Sequence, residues 1–137
     1  MTRNIGLWID HKRAVLVTLS EQGENLQLLE SGVGKHPRYH GATHPKSTYS
    51  AQYQQGDDQL DRQFMERLNK FYNALIAHIR GADALFIFGP GEAKLELEKR
   101  LNHGKVQVRI AGIEAADKMT DRQIAARVRG YFPRLAA

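Results

Sequence analysis

Ala84 to Phe88 is an unbroken apolar run that ends directly in Gly89-Pro90-Gly91. A strand that is apolar on both faces has to be covered on both faces, which is the situation of central strands in sheets sandwiched between helices. The glycines and proline that follow mark a sharp turn out of the strand. A chain built around this segment is expected to be an α/β layered domain.

The remaining elements fit around it. Ile5 to Ile9 and Ala14 to Leu19 are short apolar runs joined by the polar turn Asp10-His11-Lys12-Arg13, which predicts a hairpin. Gly23, Glu24 and Asn25 supply the next turn, and Leu26 to Glu30 mixes polar and apolar residues as a half-exposed strand does. From Asp58 to Ile79, Leu60, Phe64, Leu68, Phe71, Leu75 and Ile79 recur every three or four residues, with Arg62, Glu66, Lys70 and Asn73 on other faces. That spacing predicts an amphipathic helix.

After the central strand a second helix is expected from about Glu92 to Asn102. Lys105 to Ile110 alternates polar with apolar residues and predicts an edge strand. Thr120 with Gln123 has the spacing of a capping box, and Ile124, Val128 and Phe132 give the last helix its apolar stripe.

The predicted order is βββαβαβα, with strands three and five the most polar. Placing those two at the edges gives a five-stranded mixed sheet of order 3-2-1-4-5, an antiparallel opening meander and right-handed crossovers later. This is the ribonuclease H-like topology. At 137 residues the chain suits one domain, residues 1–137, burying about 68% of its unfolded surface. It has no cysteine, which rules out disulfides and thiolate metal sites. The first ten residues do not form a signal peptide, and no apolar run approaches the roughly 18 residues of a membrane span. A cytoplasmic address and no membrane partner are expected.

Lysine and arginine total 20 against 15 acids, a net charge of +5, which favours polyanionic partners. The charge is unevenly placed. Ser31 to Gly56 contains no acid. Within it, the connection from about Lys35 to Gly56 is far longer than the usual ~4 to 6 residues. This loop carries Lys35, His36, Arg38, Tyr39, His40, His44, Lys46, Tyr49 and Tyr53. Cations meet phosphates and tyrosines stack on unpaired bases, so these nine residues form the candidate RNA-binding set. The alternative is a solvated loop whose histidines are polar filler.

Other features have weaker chemical readings. His36, His40 and His44 are spaced by four, yet Pro37, Gly41 and Pro45 oppose the helix that would align them as metal ligands. No metal and no cofactor is expected. Asp10 ends the first strand, where a ribonuclease H-like nuclease places its first carboxylate. Two-metal hydrolysis needs several converging carboxylates, whereas strand four ends in Phe88-Gly89-Pro90-Gly91. Asp10 is expected instead to cap its turn, paired with Lys12 or Arg13. Gly89 and Gly91 open the second helix and are candidate anion-binding positions through free amides, or glycines required by a tight turn. Arg122, Arg127 and Arg129 give the last helix a basic exterior that either extends an RNA footprint or simply solvates a surface.

Taken together, the meander, the basic loop before a long helix, the phrase FIFGPGEAK from Phe86 to Lys94 and the closing IAGIEAADKMT resemble the middle domain of the archaeal and eukaryotic class-one release factor and of Pelota. The resemblance covers essentially the whole chain, and small free-standing bacterial translational machinery proteins share it. It implies a partner in ribosomal RNA, tRNA or the ribosome. The release factor's Gly-Gly-Gln tripeptide, which promotes peptidyl-tRNA hydrolysis, is absent; Gly32-Val33-Gly34-Lys35 lacks the glutamine. No catalytic residue is carried over, and a non-catalytic RNA-binding protein is expected. A metal-dependent nuclease centred on Asp10 and a protein-interaction module pairing through its edge strands are the alternatives.

Overall fold

The computed structural model describes residues 2–33 and 50–132, with side chains from residue 59 onward in the second stretch. Five strands and three helices follow in the order β1 (Arg3–Ile9), β2 (Arg13–Ser20), β3 (Gly23–Glu30), α1 (Ser50–Ile79), β4 (Ala84–Gly89), α2 (Ala93–His103), β5 (Arg109–Ala115) and α3 (Asp121–Tyr131). The sheet order is β3-β2-β1-β4-β5. β1 pairs antiparallel with β2 and parallel with β4, β2 pairs antiparallel with β3, and β4 pairs parallel with β5. The order expected from the ranking of strand polarity is the order found.

Alternation along the strands divides the core into two layers. Ile5, Leu7 and Ile9 of β1, Leu16 of β2, and Leu85 and Ile87 of β4 pack with Leu68, Phe71, Leu75 and Ile79 of α1 and with Leu97 and Leu101 of α2. On the opposite side Trp8, Val15, Val17, Phe86 and Phe88 meet Ile124, Ala125 and Val128 of α3. All six residues of β4 are buried, as the unbroken apolar run requires. β3 is exposed along most of its length, including Leu26 and Leu28.

The boundaries of three elements differ from expectation. β3 starts at Gly23 rather than Leu26, so Gly23, Glu24 and Asn25 pair with Ser20, Leu19 and Thr18 and the turn falls on Glu21 and Gln22. The first helix starts at Ser50 rather than Asp58, so the long connection ends earlier than Gly56. Ala51 to Gln55 favour or tolerate helix, and an interior glycine costs only about 1 kcal/mol relative to alanine; Gly56 does not stop the helix. Leu60 is 41% exposed, and the apolar stripe reaches the core from Phe64 and Leu68 onward.

The last strand is Arg109–Ala115 rather than Lys105–Ile110. Residues 105–108 instead turn the chain out of α2. Lys105 has a positive φ of 52°, Val106 N–H donates to Leu101 O at 3.1 Å and Val108 N–H to Val106 O at 3.0 Å. Val106 and Val108 still pack on the core, so the alternation reported burial correctly but not ladder pairing. The register shifts within β5, where Leu85 faces Ile110 and Phe86 faces Gly112. The extra residue, Ala111, directs its carbonyl to the Tyr131 hydroxyl at 2.9 Å.

The capping box is formed: Thr120 Oγ1 accepts from Gln123 N–H at 3.2 Å, and Gln123 Oε1 accepts from Thr120 N–H at 2.9 Å. Among the described residues no helix is long and apolar enough to cross a membrane.

Candidate nucleic-acid interface

The pairing directions bring the ends of β1, β3, β4 and β5 to one edge of the sheet. The crevice outside the carboxyl ends of strands is where open α/β sheets usually hold ligands. At this edge the β1–β2 turn is closed by Asp10, whose Oδ1 accepts from the amides of Lys12 and Arg13, both at 2.8 Å. Asp10 N–H donates to Arg13 O at 3.0 Å. The carboxylate thus joins to the backbone of Lys12 and Arg13 rather than to their charges. The Arg13 guanidinium lies 4.9 Å over the Trp8 ring and 3.7 Å from Asp121. Among the described residues no group of three or more His, Cys, Asp or Glu is placed to hold a metal ion.

The same edge anchors the exit of the basic loop. Ser31, 9% exposed, donates through Oγ to His11 O at 2.6 Å, and its amide donates to Lys12 O at 2.8 Å. Arg67 of α1 donates to Gly32 O at 3.1 Å, and Val33 is buried. The acid-free segment therefore departs from a fixed point beside the β1–β2 turn. Lys35, His36, Arg38, Tyr39, His40, His44, Lys46 and Tyr49 lie outside the described residues; Tyr53 falls within α1.

Gly89 has a φ of 149°, and a Cβ there would come within 3.1 Å of the Ile9 nitrogen and closer still to the Ile9 carbonyl oxygen. Only glycine permits this approach of β4's end to β1. Gly91, at φ 67°, precedes Glu92, the N-cap of α2, and its carbonyl accepts from Lys94 Nζ. The carboxylate of Glu92 belongs to the same helix end.

Between α1 and α2, next to this edge, lies a cleft of about 370 Å³. Its centre is a hydrogen-bonded cluster the linear sequence did not suggest. Glu96 Oε1 accepts from the Tyr72 hydroxyl at 2.6 Å and lies 3.2 Å from His11 Nε2. The Arg100 guanidinium sits 4.5 Å over the Tyr72 ring and donates to Asn69 Oδ1 at 2.6 Å. Tyr72 is fully buried. Burial first, then the hydrogen bond and charge of Glu96, push its hydroxyl far above the usual tyrosine range, with Arg100 opposing. It stays a proton donor, and Glu96 is engaged from two sides. Lys99 and His103 line the same cleft, opposite Phe64, Met65 and Leu68. The one sequence signal for this cluster was Glu96 and Arg100 at i and i+4 on a helix.

The basic exterior of α3 is arranged differently. Arg127 pairs with Glu114 and Arg129 with Glu24, so two of its three arginines are already partnered within the fold.

The structure is similar to that of the Pelota protein of Thermoplasma acidophilum, at 15% identity and a TM-score of 0.48, over 94% of this chain and 32% of that one. It is also similar to an archaeal translation termination factor, at 14% identity and a TM-score of 0.43, over 98% of this chain and 40% of that one. The chain thus spans about a third of the first protein and two-fifths of the second. Neither a family model nor a curated protein matches the sequence. No residue's role passes from these likenesses to this chain.

Proposed function

We propose that this chain is a non-catalytic RNA-binding domain whose primary contact is the basic, tyrosine-bearing loop. One observation carries the proposal. Ser31 to Gly56, the acid-free part of a chain of net charge +5, leaves the carboxyl edge of the sheet from the anchor made by Ser31, Gly32 and Val33. Lys35, Arg38 and Lys46 meet phosphates there, and Tyr39 and Tyr49 of the loop, with Tyr53 of the first turns of α1, stack on unpaired bases. His36, His40 and His44 add polar contacts. A phosphate at Gly91 would sit beside the Glu92 carboxylate, so the proposed contact surface leaves out Gly89 and Gly91. Asp10, held by two backbone amides, has no role in this reading.

Ribosomal RNA and tRNA are the RNAs implied by the resemblance of the Phe86–Lys94 phrase. The test is co-sedimentation with ribosomes from a lysate across a salt series, comparing the wild type with Lys35→Ala/Arg38→Ala/Lys46→Ala. The wild type is expected to follow ribosomal particles at low salt and dissociate as salt rises, with the triple variant staying in the supernatant. Failure of the wild type to sediment at any salt rejects the ribosomal reading. Salt-insensitive self-association without RNA affinity would favour an interaction module instead.

A further inference from the structure

Natural sheets blunt their edge strands with lysine, proline, bulges or very short strands. β3 is an edge strand with none of these. Its eight residues, from Gly23 to Glu30, include neither lysine nor proline, and they pair with β2 in unbroken register. Among the described residues nothing pairs with its outer side. The bond from Ser31 N–H to Lys12 O at 2.8 Å continues the ladder and sets its phase. Asn25, Gln27 and Leu29 bond inward to β2, while Glu24, Leu26, Leu28 and Glu30 direct their N–H and C=O groups outward. The side chains of these four also share one face. Leu26 faces Val17 and Leu28 faces Val15, both buried beneath α3. α3 meets β3 at Glu24 through Arg129, and Leu26 and Leu28 are left 39% and 48% exposed.

We infer that β3 pairs antiparallel with β3 of a second copy of this chain, about a two-fold axis at Gln27, joining the two sheets into one. The outward groups select this register. With Gln27 opposite Gln27 of the partner subunit, Glu24 meets Glu30 of the partner subunit and Leu26 meets Leu28 of the partner subunit, so every outward N–H and C=O of the strand is bonded. A shift by two residues in either direction takes Glu24 or Glu30 past the end of the facing strand. Leu26 and Leu28 each gain an apolar cross-strand neighbour. Glu24 opposite Glu30 of the partner subunit would by itself oppose pairing, and Arg129 answers that charge. It reaches both oxygens of Glu24 through Nη1 alone, at 2.8 and 2.9 Å, which leaves Nε and Nη2 of the fork for a second carboxylate. β5, the other border, shifts register at Ala111 and offers no such continuous edge. One strand from each copy makes a small interface, so a dissociation constant in the micromolar range is expected.

The test is sedimentation equilibrium of the whole chain over a concentration series after ribonuclease treatment, comparing the wild type with Leu26→Lys/Leu28→Lys. The wild type is expected to dimerise. The double variant places lysine opposite lysine twice and is expected to weaken the dimer about tenfold. Because the chain has no cysteine, a single introduced thiol reports the register directly. Gln27 and its counterpart form a non-hydrogen-bonded pair with Cα atoms about 4.5 Å apart, within the span of a disulfide. Gln27→Cys is expected to form a covalent dimer under mild oxidation, and Glu21→Cys, in the exposed turn, is expected not to. A wild type that stays monomeric throughout the series overturns the inference. So does a dimer that Gln27→Cys fails to trap, or one that the lysine variant forms as tightly as the wild type, because either result puts the interface elsewhere. The cross-linking arm keeps the test decisive should the lysine variant not fold. None of these outcomes bears on RNA binding, which the loop variant tests separately.

Discussion

The two faces of the sheet use similar materials to different ends. Beneath α3 everything is committed to packing: Trp8 is buried with its Nε1 donating to Asp117 O at 3.1 Å, Phe86 stacks on Tyr131 with centroids 3.8 Å apart, and two arginines of the helix are held by acids. Beneath α1 and α2 a similarly apolar core supports an outer cleft in which, among the described residues, the one contact of ion-pair geometry is His11–Glu96. The comparison shows that a basic surface is informative only after its internal pairs are subtracted. The arginine-rich α3 is the more basic helix in sequence, yet two of its three arginines are held by acids, whereas Lys99 of α2 has no acid within ion-pair distance among the described residues.

The largest test of this contrast is at Gly6. A Cβ there would lie 2.9 Å from Val128 Cβ, with the valine's methyls closer still. Val128 is fully buried and stiff at χ1. Gly6→Ala is expected to cost about 2 to 3 kcal/mol in urea unfolding, and Gly6→Ala/Val128→Ala to be more stable than the two single effects predict when summed. Additive losses would mean the α3 face is not close-packed at this point.

On the other face, Tyr72→Phe is expected to cost about 1 kcal/mol by removing one hydrogen bond to Glu96. Its pH dependence is the sharper reading. The folded chain holds the Tyr72 proton more tightly than the unfolded chain does. The stability from this group is therefore intact below pH about 10 and is lost as pH rises beyond it. The variant should lack that part of the alkaline decline; an identical decline in both proteins would contradict the buried-donor account. The smallest effect is expected for Arg129→Ala. Its pair with Glu24, 2.8 and 2.9 Å to the two oxygens, is partly exposed, so a loss of no more than about 0.5 kcal/mol is expected, shrinking with added salt.

Much of the architecture was legible because hydrophobic patterning fixes it directly. The fully apolar β4 had to be central, the polar β3 and β5 had to be edges, and Thr120 with Gln123 marked the start of α3. The position of β5 was not legible. Val106 and Val108 alternate as strand residues do but pack from a turn, and the extra residue Ala111 obscures the alternation of the true strand. The candidate loop was visible as composition. The cleft was not, because His11, Tyr72 and Glu96 come from three elements that converge only after the sheet has formed. A residue-by-residue search for motifs has no access to that convergence.

The extra residue in β5 has a consequence for how the sheet meets other chains. With Ala111 out of register and its carbonyl held by Tyr131, β5 offers an irregular border that an incoming strand cannot follow in step. β3 keeps an unbroken eight-residue ladder, and among the described residues nothing pairs with its outer side. The two borders of the sheet thus differ in regularity: β5 is interrupted at Ala111, whereas β3 keeps its step over all eight residues.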